Sequence, residues 1–428
     1  MCISAGGDGF DRSVQRRLRE RALGSTATCG MVTRMMDSAG ALEAVVRHAT
    51  ELEDDYDDIA PTLTALAACG DITLVPRLHE ALDRFLDEQN FYGRDLIAGI
   101  LAGIQGVAAL PALLRASARD LGDDQDSLTG EIIDLLHTNK AAARRTVLDL
   151  ATGGTPELRR AGLWALGFVV EAQDVELLAA AAADADPRVR SVAIGSIPNP
   201  ADDDRAFQVL VMALRDLDDQ VRISAVSRLG YTGRADAVAP LAALAADPVP
   251  RVRSMVAYAL GQLRKVEATP ALLRLRHDPD RHVRENALEA LGSVGGAAAV
   301  DALLLMAGDE DPLLRAQAAR ALARAVDSDQ RIPPQLTTLA QDDEPAVRAA
   351  TISALISTDS ALSRWASLVV GLANDPDPVV RQRVAVAARR LAPDAAPDIL
   401  RQYVSDPDPT VRRIADMELA RLTDTAAR

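Results

Sequence analysis

Side chains that could perform acid–base or metal chemistry are few and scattered along this sequence. The chain has five histidines among 428 residues and a single adjacent His-Glu pair, His79-Glu80. His277, His282 and Glu285 lie around one predicted turn between helices. Two imidazoles and a carboxylate can bind zinc, but residues on such a turn are more often solvated. We therefore predict no metal ligands and no catalytic residue.

The cysteine and glycine patterns also fail to indicate an enzyme. Cys2, Cys29 and Cys69 have no C-x-x-C spacing, which excludes a disulfide framework and a zinc site built mainly from thiolates. There is no H-E-x-x-H motif, and Gly6-Gly7-Asp8-Gly9 lacks the strand and the Lys-Ser/Thr that a phosphate-binding loop requires. We predict a protein without catalytic activity and without a cofactor.

Acidic residues outnumber basic ones by 62 to 47, which gives a net charge of −15. Such a field repels phosphate backbones, and an aromatic content of 3% leaves few platforms for stacking bases. Nucleic-acid binding is therefore disfavoured. Carboxylate clusters fall at predicted turns, where they are either solvated caps or a rim that attracts cations or a basic partner: Glu51–Asp58, Asp123–Asp126, Asp202–Asp204 and Gln341–Glu344.

The amino-terminal sequence and the hydropathy pattern indicate no membrane partner. We expect no uninterrupted apolar run near the roughly 18–20 residues that span a bilayer, and the arginine-rich start lacks the apolar stretch of a secretory signal. A cytoplasmic location follows as an expectation. Residues 1–30 are interpreted as a flexible basic arm, with a short amphipathic helix as the alternative.

A short phrase recurs along most of the chain: an acidic residue, often proline next, then Val-Arg and an alanine-rich stretch. Its arginines, counted from Arg159, are spaced 31 to 33 residues apart, and a weaker form continues upstream near Leu128, Gly93 and Ile59. A period of this length holds two helices and two turns, and we count about twelve units. The phrases are Asp186–Arg190, Asp218–Arg222, Val249–Arg253 (without the acid), Asp280–Arg284, Asp311–Arg315, Glu344–Arg348, Asp377–Arg381 and Asp408–Arg412.

Each phrase predicts the start of a helix. The aspartate suits the N-cap, and proline suits the first helical position, where no N–H is needed. If the valine of Val-Arg is position i, apolar or small residues recur at i+4, i+7 and i+8, which form one helical face. We call this helix B and the apolar helix before it A. Gly230, Gly261 and Gly292 are predicted to stop their B helices.

At these residues the chain resembles HEAT repeats, most closely the PBS-lyase HEAT-like subgroup with its D-P-x-x-V-R-x-x-A-x-x-A-L-G phrase. The resemblance implies an all-α fold, an α-solenoid that forms a right-handed superhelix with the B helices on its concave side. Residues 157–428 would form regular repeats and residues 31–156 degenerate ones, in one continuous solenoid. HEAT-like deoxyhypusine hydroxylases repeat His-Glu pairs on several units, so the single pair here does not supply their iron site.

The resemblance also implies a structural role for the acid and arginine of the phrase. In HEAT-like stacks such arginines form a ladder with carboxylates of the same or adjacent turns and fix the register between layers. The predicted ladder is Asp186, Arg190, Arg222, Arg253, Asp280, Arg284, Asp311, Arg315, Arg348, Asp377, Arg381, Asp408 and Arg412.

The B helices also suggest a binding surface. If i, i+4, i+7 and i+8 are buried, then i+2, i+5, i+6 and i+9 face the concave side, and an apolar stripe results: Leu163, Trp164, Ile194, Ile223, Val226, Tyr258 and Leu288. Either this stripe is an exposed groove, or tight packing between layers covers it.

We interpret the protein as a non-catalytic interaction scaffold or adaptor that binds a protein or peptide, either a basic segment or an apolar helix, in the groove. Two alternatives remain open at this stage. One is a factor that handles a bilin or another tetrapyrrole, as a lyase or a chaperone, and the other is a nucleic-acid-binding protein.

Overall fold

The computed structural model describes residues 37–51, 56–119, 121–122, 125–357 and 362–426, and the regular elements in these ranges are all helical. The all-α prediction is therefore confirmed. The predicted basic arm, residues 1–30, lies outside the described residues, as do parts of the clusters Glu51–Asp58 and Asp123–Asp126. The described residues divide into two compact units, one ending at Pro198 and the other beginning at Asn199.

The first unit contains five A/B helix pairs in its described residues, and consecutive B helices pack against each other. The A helices are α1 (Ser38–Glu51), α3 (Val75–Asp87), α5 (Leu110–Ser117), α7 (Lys140–Thr152) and α9 (Val175–Ala181). The B helices are α2 (Tyr56–Ala68), α4 (Phe91–Gln105), α6 (Asp126–Thr138), α8 (Pro156–Val169) and α10 (Pro187–Gly195).

The second unit contains seven such pairs in its described residues, which brings the number of repeats to the predicted twelve. The A helices are α11 (Asp204–Ala213), α13 (Val238–Ala243), α15 (Thr269–Leu275), α17 (Ala297–Met306), α19 (Ile332–Leu339), α21 (Ala366–Gly371) and α23 (Ala396–Tyr403). The B helices are α12 (Asp219–Gly230), α14 (Pro250–Leu263), α16 (Arg281–Val294), α18 (Pro312–Arg324), α20 (Pro345–Ile356), α22 (Pro378–Leu391) and α24 (Pro409–Ala426).

The B helices begin where the phrase predicts. Asp280 Oδ1 accepts from the backbone N–H groups of His282 and Val283 at 2.8 and 3.2 Å, which satisfies donors that would otherwise lack partners. The aspartate that precedes each of α10, α12, α18, α22 and α24 accepts an equivalent bond. Glu344 and Val249 cap their helices without a side-chain hydrogen bond.

The core of each repeat lies between its A and B helices. Val283, Ala287 and Leu291, at i, i+4 and i+8 of α16, are fully buried, and α16 packs against α15 and α17 as well as against α14 and α18. The apolar periodicity read from the sequence therefore identifies the face that joins the two helical layers.

The prediction that glycine stops the B helices is wrong. Gly261 and Gly292 lie inside α14 and α16, and Gly230 is the last residue of α12. A Cβ placed on Gly261 would lie 2.8 Å from Ala290 Cβ, and one on Gly230 would lie 2.8 Å from Ala259 Cβ. These glycines are needed because neighbouring B helices cross there at closer range than a side chain permits.

One described segment, Phe91–Ser117, is long and apolar enough to cross a membrane by length and composition. It comprises α4, a 3₁₀ turn (Gly106–Ala109) and α5, and the expectation that no apolar stretch of this length occurs is wrong here. More than half of its apolar window is buried within the protein. Leu101 and Leu113, for example, are fully buried in the core of the first unit.

Candidate interaction surface

The arginine of the phrase joins successive repeats because two edges of its guanidinium group bond to different turns. In the second unit, Arg222 Nε and Nη2 donate to the two carboxylate oxygens of Asp247 at 2.9 and 3.0 Å. Its Nη1 donates to the carbonyl oxygens of Asp216 and Leu217, in the turn that precedes its own helix. One guanidinium therefore links α12 to its own turn and to the turn of the next repeat. Bidentate geometry of this kind is the strongest that arginine offers to a carboxylate.

The same bidentate pair recurs with donor–acceptor distances between 2.6 and 3.1 Å. The aspartate lies 25 or 27 residues after its arginine, at the end of the next A helix. Most of these side chains are largely buried, as in the pair of Arg348 and Asp375, which are 10% and 4% exposed. The pairs are Arg159–Asp184 in the first unit, and Arg222–Asp247, Arg253–Asp278, Arg315–Asp342, Arg348–Asp375 and Arg381–Asp406 in the second.

The acid predicted as the partner of the arginine has a different role. Asp280 caps α16, whereas Asp278, two residues earlier, pairs with Arg253 and also accepts from the backbone N–H of Asp280. The predicted ladder members Asp186, Asp311, Asp377 and Asp408 are likewise caps. The earlier aspartate was missed, although an acid two residues before the cap recurs in the sequence and could have revealed it.

Arg284 departs from this pattern. Its Nη1 donates to the carbonyl oxygens of Asp278 and Pro279 at 2.8 and 2.9 Å, but in the described part of the chain no carboxylate lies within ion-pair distance of it. Arg412 and Arg190 make the corresponding bonds to the carbonyl oxygens of their own turns. The ladder therefore lacks one inter-repeat pair within the second unit.

The ladder holds four carboxylates of the second unit in the charged form. The hydrogen bond from Arg253 lowers the pKa of Asp278, and the bonds from Arg315 and Arg381 lower the pKa of Asp342 and Asp406. At Asp375 burial acts first and raises the pKa, but the bonds from Arg348 and from the backbone outweigh it, and the pKa is lowered. These aspartates therefore serve structure, since none is poised near neutrality to exchange protons.

Most of the predicted apolar stripe is not a surface. Leu163, Ile194, Ile223, Val226 and Leu288 are between 0 and 5% exposed. Trp164 is partly exposed, and Tyr258 is 40% exposed. The alternative that packing between layers covers the stripe is therefore correct for five of its seven members, and an exposed apolar groove built from those five is wrong.

The error has a geometric cause. A B helix in the interior of a unit, such as α14 or α16, packs against A helices and against B helices on both sides, so its buried arc is wider than one face. The residue at position i+9 contacts the residue at i+7 of the next B helix, as Gly230 contacts Ala259. The residue at i+5 lies only about 40° around the helix from i+9, so it is covered by the same contact. Position i+2 contacts i+3 of the next helix, as Ser254 does Asn286. The arc left for solvent is centred on i+3, i+6 and i+10, which we call the B rows.

Aromatic residues occupy the B rows in both units. In the first unit, Trp164 (i+6) and Phe168 (i+10) of α8 meet edge to face with ring centroids 5.1 Å apart. In the second unit, Tyr231 (i+10 of α12) and Tyr258 (i+6 of α14) meet with ring centroids 6.4 Å apart and hydroxyl oxygens 2.8 Å apart. Tyr231 is 65% exposed.

Further along the second unit, the B rows become charged. Glu289 of α16 pairs with Arg324 of α18 at 2.9 Å, and Arg320 beside it is exposed. In the repeat of α20, positions i+6 and i+10 are serines. In the next repeat, α22 presents Arg383, Val386 and Arg390, which are all exposed. The B rows therefore change chemistry from tyrosine to arginine along this unit.

The histidines do not assemble into a site in the described residues. Glu285 accepts from Arg281 Nε at 2.7 Å, and His282 Nδ1 lies 3.7 Å from it. His48 is buried with its Nε2 2.9 Å from the hydroxyl of Tyr92. Within the described ranges, no group of three or more His, Cys, Asp and Glu side chains could hold a metal ion.

Comparison with known proteins identifies the repeat. The family model described as HEAT repeats matches residues 207–292, 273–356 and 365–428. No curated protein matches the sequence.

Solved structures are similar to this chain at low sequence identity. A complex of Kap95p with RanGDP is similar over 89% of this chain and 60% of that chain, with 16% identity and a TM-score of 0.58. A Kap95–Nup1 complex is similar over 89% of this chain and 60% of that chain, with 15% identity and a TM-score of 0.55. The CpcE–CpcF complex of phycocyanin lyase from Nostoc is similar over 56% of this chain and 92% of that chain, with 20% identity and a TM-score of 0.34.

The likeness to Kap95p shows a shared all-α solenoid fold, and this chain spans 60% of that longer protein. The stacked helix pairs and the recurring Asp and Arg phrase of this chain are features of HEAT repeats. Because the family model covers half of the sequence, the chain belongs to the HEAT-repeat family.

Proposed function

We propose that this protein is a non-catalytic scaffold that binds a protein or peptide along its B rows. The observation that carries the proposal is the partly exposed aromatic residues at positions where other repeats have serine, glutamate or arginine. Trp164 and Phe168 in the first unit, and Tyr231 and Tyr258 in the second, occupy these positions. The folding of a single repeat does not require an aromatic residue there, since Ser227 and Ser353 occupy the same position.

Aromatic side chains suit such a role because they contribute large contact areas with few rotatable bonds. The Tyr231 and Tyr258 hydroxyls, 2.8 Å apart, hold their two rings in a fixed arrangement before any partner arrives. The helices that carry them are fixed by the arginine ladder, so little ordering of the backbone opposes binding. The likeness to Kap95p, whose complexes name RanGDP and Nup1, supports a protein as the partner.

The test compares the B rows with equally apolar positions on the A helices. We expect Trp164→Ala and Tyr258→Ala to lose partners that the wild-type protein captures from a cell extract, with unchanged thermal unfolding. The matched controls are Met212→Ala and Leu305→Ala, which remove side chains 69% and 73% exposed on α11 and α17. Capture unaffected by the B-row variants, or lost equally in the controls, would contradict the proposal.

A further inference from the structure

The negative charge of this chain is concentrated in its first unit. Residues 37–198 hold 27 acidic and 13 basic residues, a net charge of −14, whereas residues 199–428 hold 32 and 28, a net charge of −4. Residues 1–36, which lie outside the described residues, hold six arginines and three acids, a net charge of +3. One-to-one pairing within residues 37–198 can therefore match fewer than half of the acids there, whatever contacts each of them makes.

Within the first unit, the surplus of acid lies on the first B helices and not on the A helices. The five A helices carry seven acidic and seven basic residues, some of which pair, as Arg77 does with Glu43 at 2.9 Å. The B helices α2, α4 and α6 carry six carboxylates and one arginine. That arginine, Arg94, is fully buried and pairs with Asp95 at 2.7 Å. These three B helices are therefore strongly acidic.

Aromatic side chains accompany these acids. Tyr56 at the start of α2 is 51% exposed. Its pKa is raised, first by partial burial and then by the charges of Glu131 and Asp57, so acids of α6 and α2 act on the same hydroxyl. We call this surface the acidic edge, and it comprises Tyr56, Asp57 and Asp58 of α2, Tyr92 of α4, and Glu131 and Asp134 of α6. It is one surface because α2 packs on α4 and α4 packs on α6.

Helix capping explains only part of the acidic edge. Asp57 and Asp58 lie in the first turn of α2, where acids complement the helix dipole. Glu131 and Asp134 lie in the second and third turns of α6, where a cap has no use for them. Two carboxylates three residues apart are neighbours on a helix and repel each other. The fold of α6 therefore gains nothing from this pair, whereas a cation placed beside it would be stabilised.

The basic arm has the complementary chemistry. Residues 10–23 contain five arginines and two acids, and they carry Phe10, Val14 and Leu18 at a spacing of four residues. Guanidinium groups form bidentate pairs with carboxylates and stack on tyrosine rings. A segment that combines arginines with regularly spaced apolar side chains therefore matches a surface that combines carboxylates with tyrosines.

The arm joins the protein close to the acidic edge. The described chain begins at Asp37, immediately before α1. His48 of α1 lies 2.9 Å from the hydroxyl of Tyr92 through its Nε2, and it is about 15 Å along the helix axis from the start of α1. Residues 24–36 are thirteen in number, and a chain of this length reaches up to about 45 Å. Residues 10–23 can therefore reach the acidic edge of their own molecule.

We propose that residues 10–23 dock on the acidic edge of the same molecule, with their arginines paired to its carboxylates and their apolar side chains against Tyr56 and Tyr92. The contact lies within the chain, so it goes beyond the scaffold function and requires no partner. Tethering gives the arm an effective concentration of about 1 mM, at which a segment of modest affinity occupies the edge most of the time. A basic segment of another protein has to displace the arm before it binds there.

The first test measures whether the acidic edge is already occupied. A fluorescein-labelled peptide of residues 8–23 is titrated with the full-length protein and followed by fluorescence anisotropy. The arm-reversed variant, Arg16→Glu with Arg17→Glu, should bind the peptide about tenfold more tightly than the wild-type protein, because its own arm no longer competes. The matched control, Arg274→Glu with Arg401→Glu, changes the net charge equally at exposed positions of α15 and α23 and should stay within about twofold of wild type.

A second set of variants, made in the arm-reversed protein, locates the site. Asp58→Asn with Asp134→Asn should weaken peptide binding by about fivefold or more, and Tyr56→Ala should weaken it as well. The matched control, Glu80→Gln with Asp149→Asn, removes two exposed acids from the A helices α3 and α7 of the same unit and should leave binding within about twofold. Circular dichroism and thermal unfolding should be unchanged, because all five side chains are exposed.

Four results would overturn the docked arm. Equal peptide affinity of the wild-type and arm-reversed proteins would show that the arm leaves the edge open. A scrambled peptide that binds equally well would reduce the contact to general charge attraction. A dimer seen by light scattering that dissociates on arm reversal would place the arm on a second copy of this chain. Arginine-dependent binding of an oligothymidine strand, without binding of the arm peptide, would assign the arginines to nucleic acid.

The scaffold function and the docked arm fail separately. If the Trp164 and Tyr258 variants lose partner capture while arm reversal leaves the peptide titration unchanged, the scaffold stands and the docked arm is wrong. If arm reversal exposes the acidic edge but no B-row variant affects capture of any partner, the aromatic scaffold is wrong and the docked arm stands.

Discussion

The seam between repeats and the B rows differ in how much they vary from one repeat to the next. At the seam, Arg222 and Arg348 make the same bidentate pair and the same two carbonyl bonds, although they are four repeats apart. On the B rows, position i+6 changes from Tyr258 to Arg320 to Val386 within one unit. Positions that hold the layers together are therefore repeated, and positions that face solvent differ, which is where recognition can be encoded.

The physical reason is that a substitution at the seam lowers the free energy of unfolding far more than a substitution on the B rows does. A buried arginine that loses its aspartate, or the reverse, leaves a charge without a partner in a poorly solvated place. An exposed side chain on the B rows can usually be exchanged at little cost to stability. The predictions below test this contrast.

Acid should weaken four of the arginine–aspartate pairs at the seam of the second unit together. The pKa of Asp278, Asp342, Asp375 and Asp406 is lowered in the folded protein, compared with about 3.9 in an unfolded chain. Their stabilisation is therefore complete above about pH 4 and is lost as the pH falls through the lower folded values. Helicity measured by circular dichroism during acid titration should fall in this range, and helicity that persists below the folded values would contradict a stabilising ladder.

A single pair should show the effect of burial. Arg348→Leu leaves Asp375, which is 7% exposed, without its partner, so we expect a loss of about 3–5 kcal/mol in the free energy of unfolding. Arg284→Leu removes only bonds to two carbonyl oxygens, and a loss of about 1–2 kcal/mol is expected. Denaturant unfolding measures both variants, and equal losses would show that the carboxylate adds nothing.

Neighbouring apolar residues on the B helices should separate stability from binding. Ile223→Ala removes a side chain that is 5% exposed, and we expect a loss of about 2–5 kcal/mol. Tyr258→Ala should change stability by about 0.5 kcal/mol or less, yet it should impair partner capture. Thermal unfolding and capture measured on the same two preparations test this; a strongly destabilised Tyr258 variant would place that ring in the seam.

The smallest expected effect concerns the glycine contacts. Gly261→Ala places a methyl group 2.8 Å from Ala290 Cβ, and we expect a net loss of about 1–2 kcal/mol because overpacking outweighs the better helix propensity of alanine. Gly371, at the end of α21, has no atom within 4 Å of an added Cβ. Its alanine variant should be neutral or more stable by up to about 1 kcal/mol. Equal melting temperatures for the two variants would argue against a close crossing.

Much of the local structure could be read from the sequence. The N-caps at Asp218 and Asp280, the start of each B helix and the number of repeats follow from short-range rules and from a fixed period. The partner of each arginine could not be read in this way, because Arg253 bonds to an aspartate 25 residues later, in the next repeat. Two acids stand near each arginine in the phrase, and only the packing of one layer on another selects between them.

The sequence by itself determined a chain of repeated helix pairs, because helical periodicity and capping depend on residues within a few positions of each other. Only the tertiary structure decided which side of each B helix meets solvent, because neighbouring B helices on both sides bury positions that a single helix would expose. Ile223 is therefore a buried core residue and Tyr258 a surface residue, although the helical projection of the sequence placed both on the same exposed stripe.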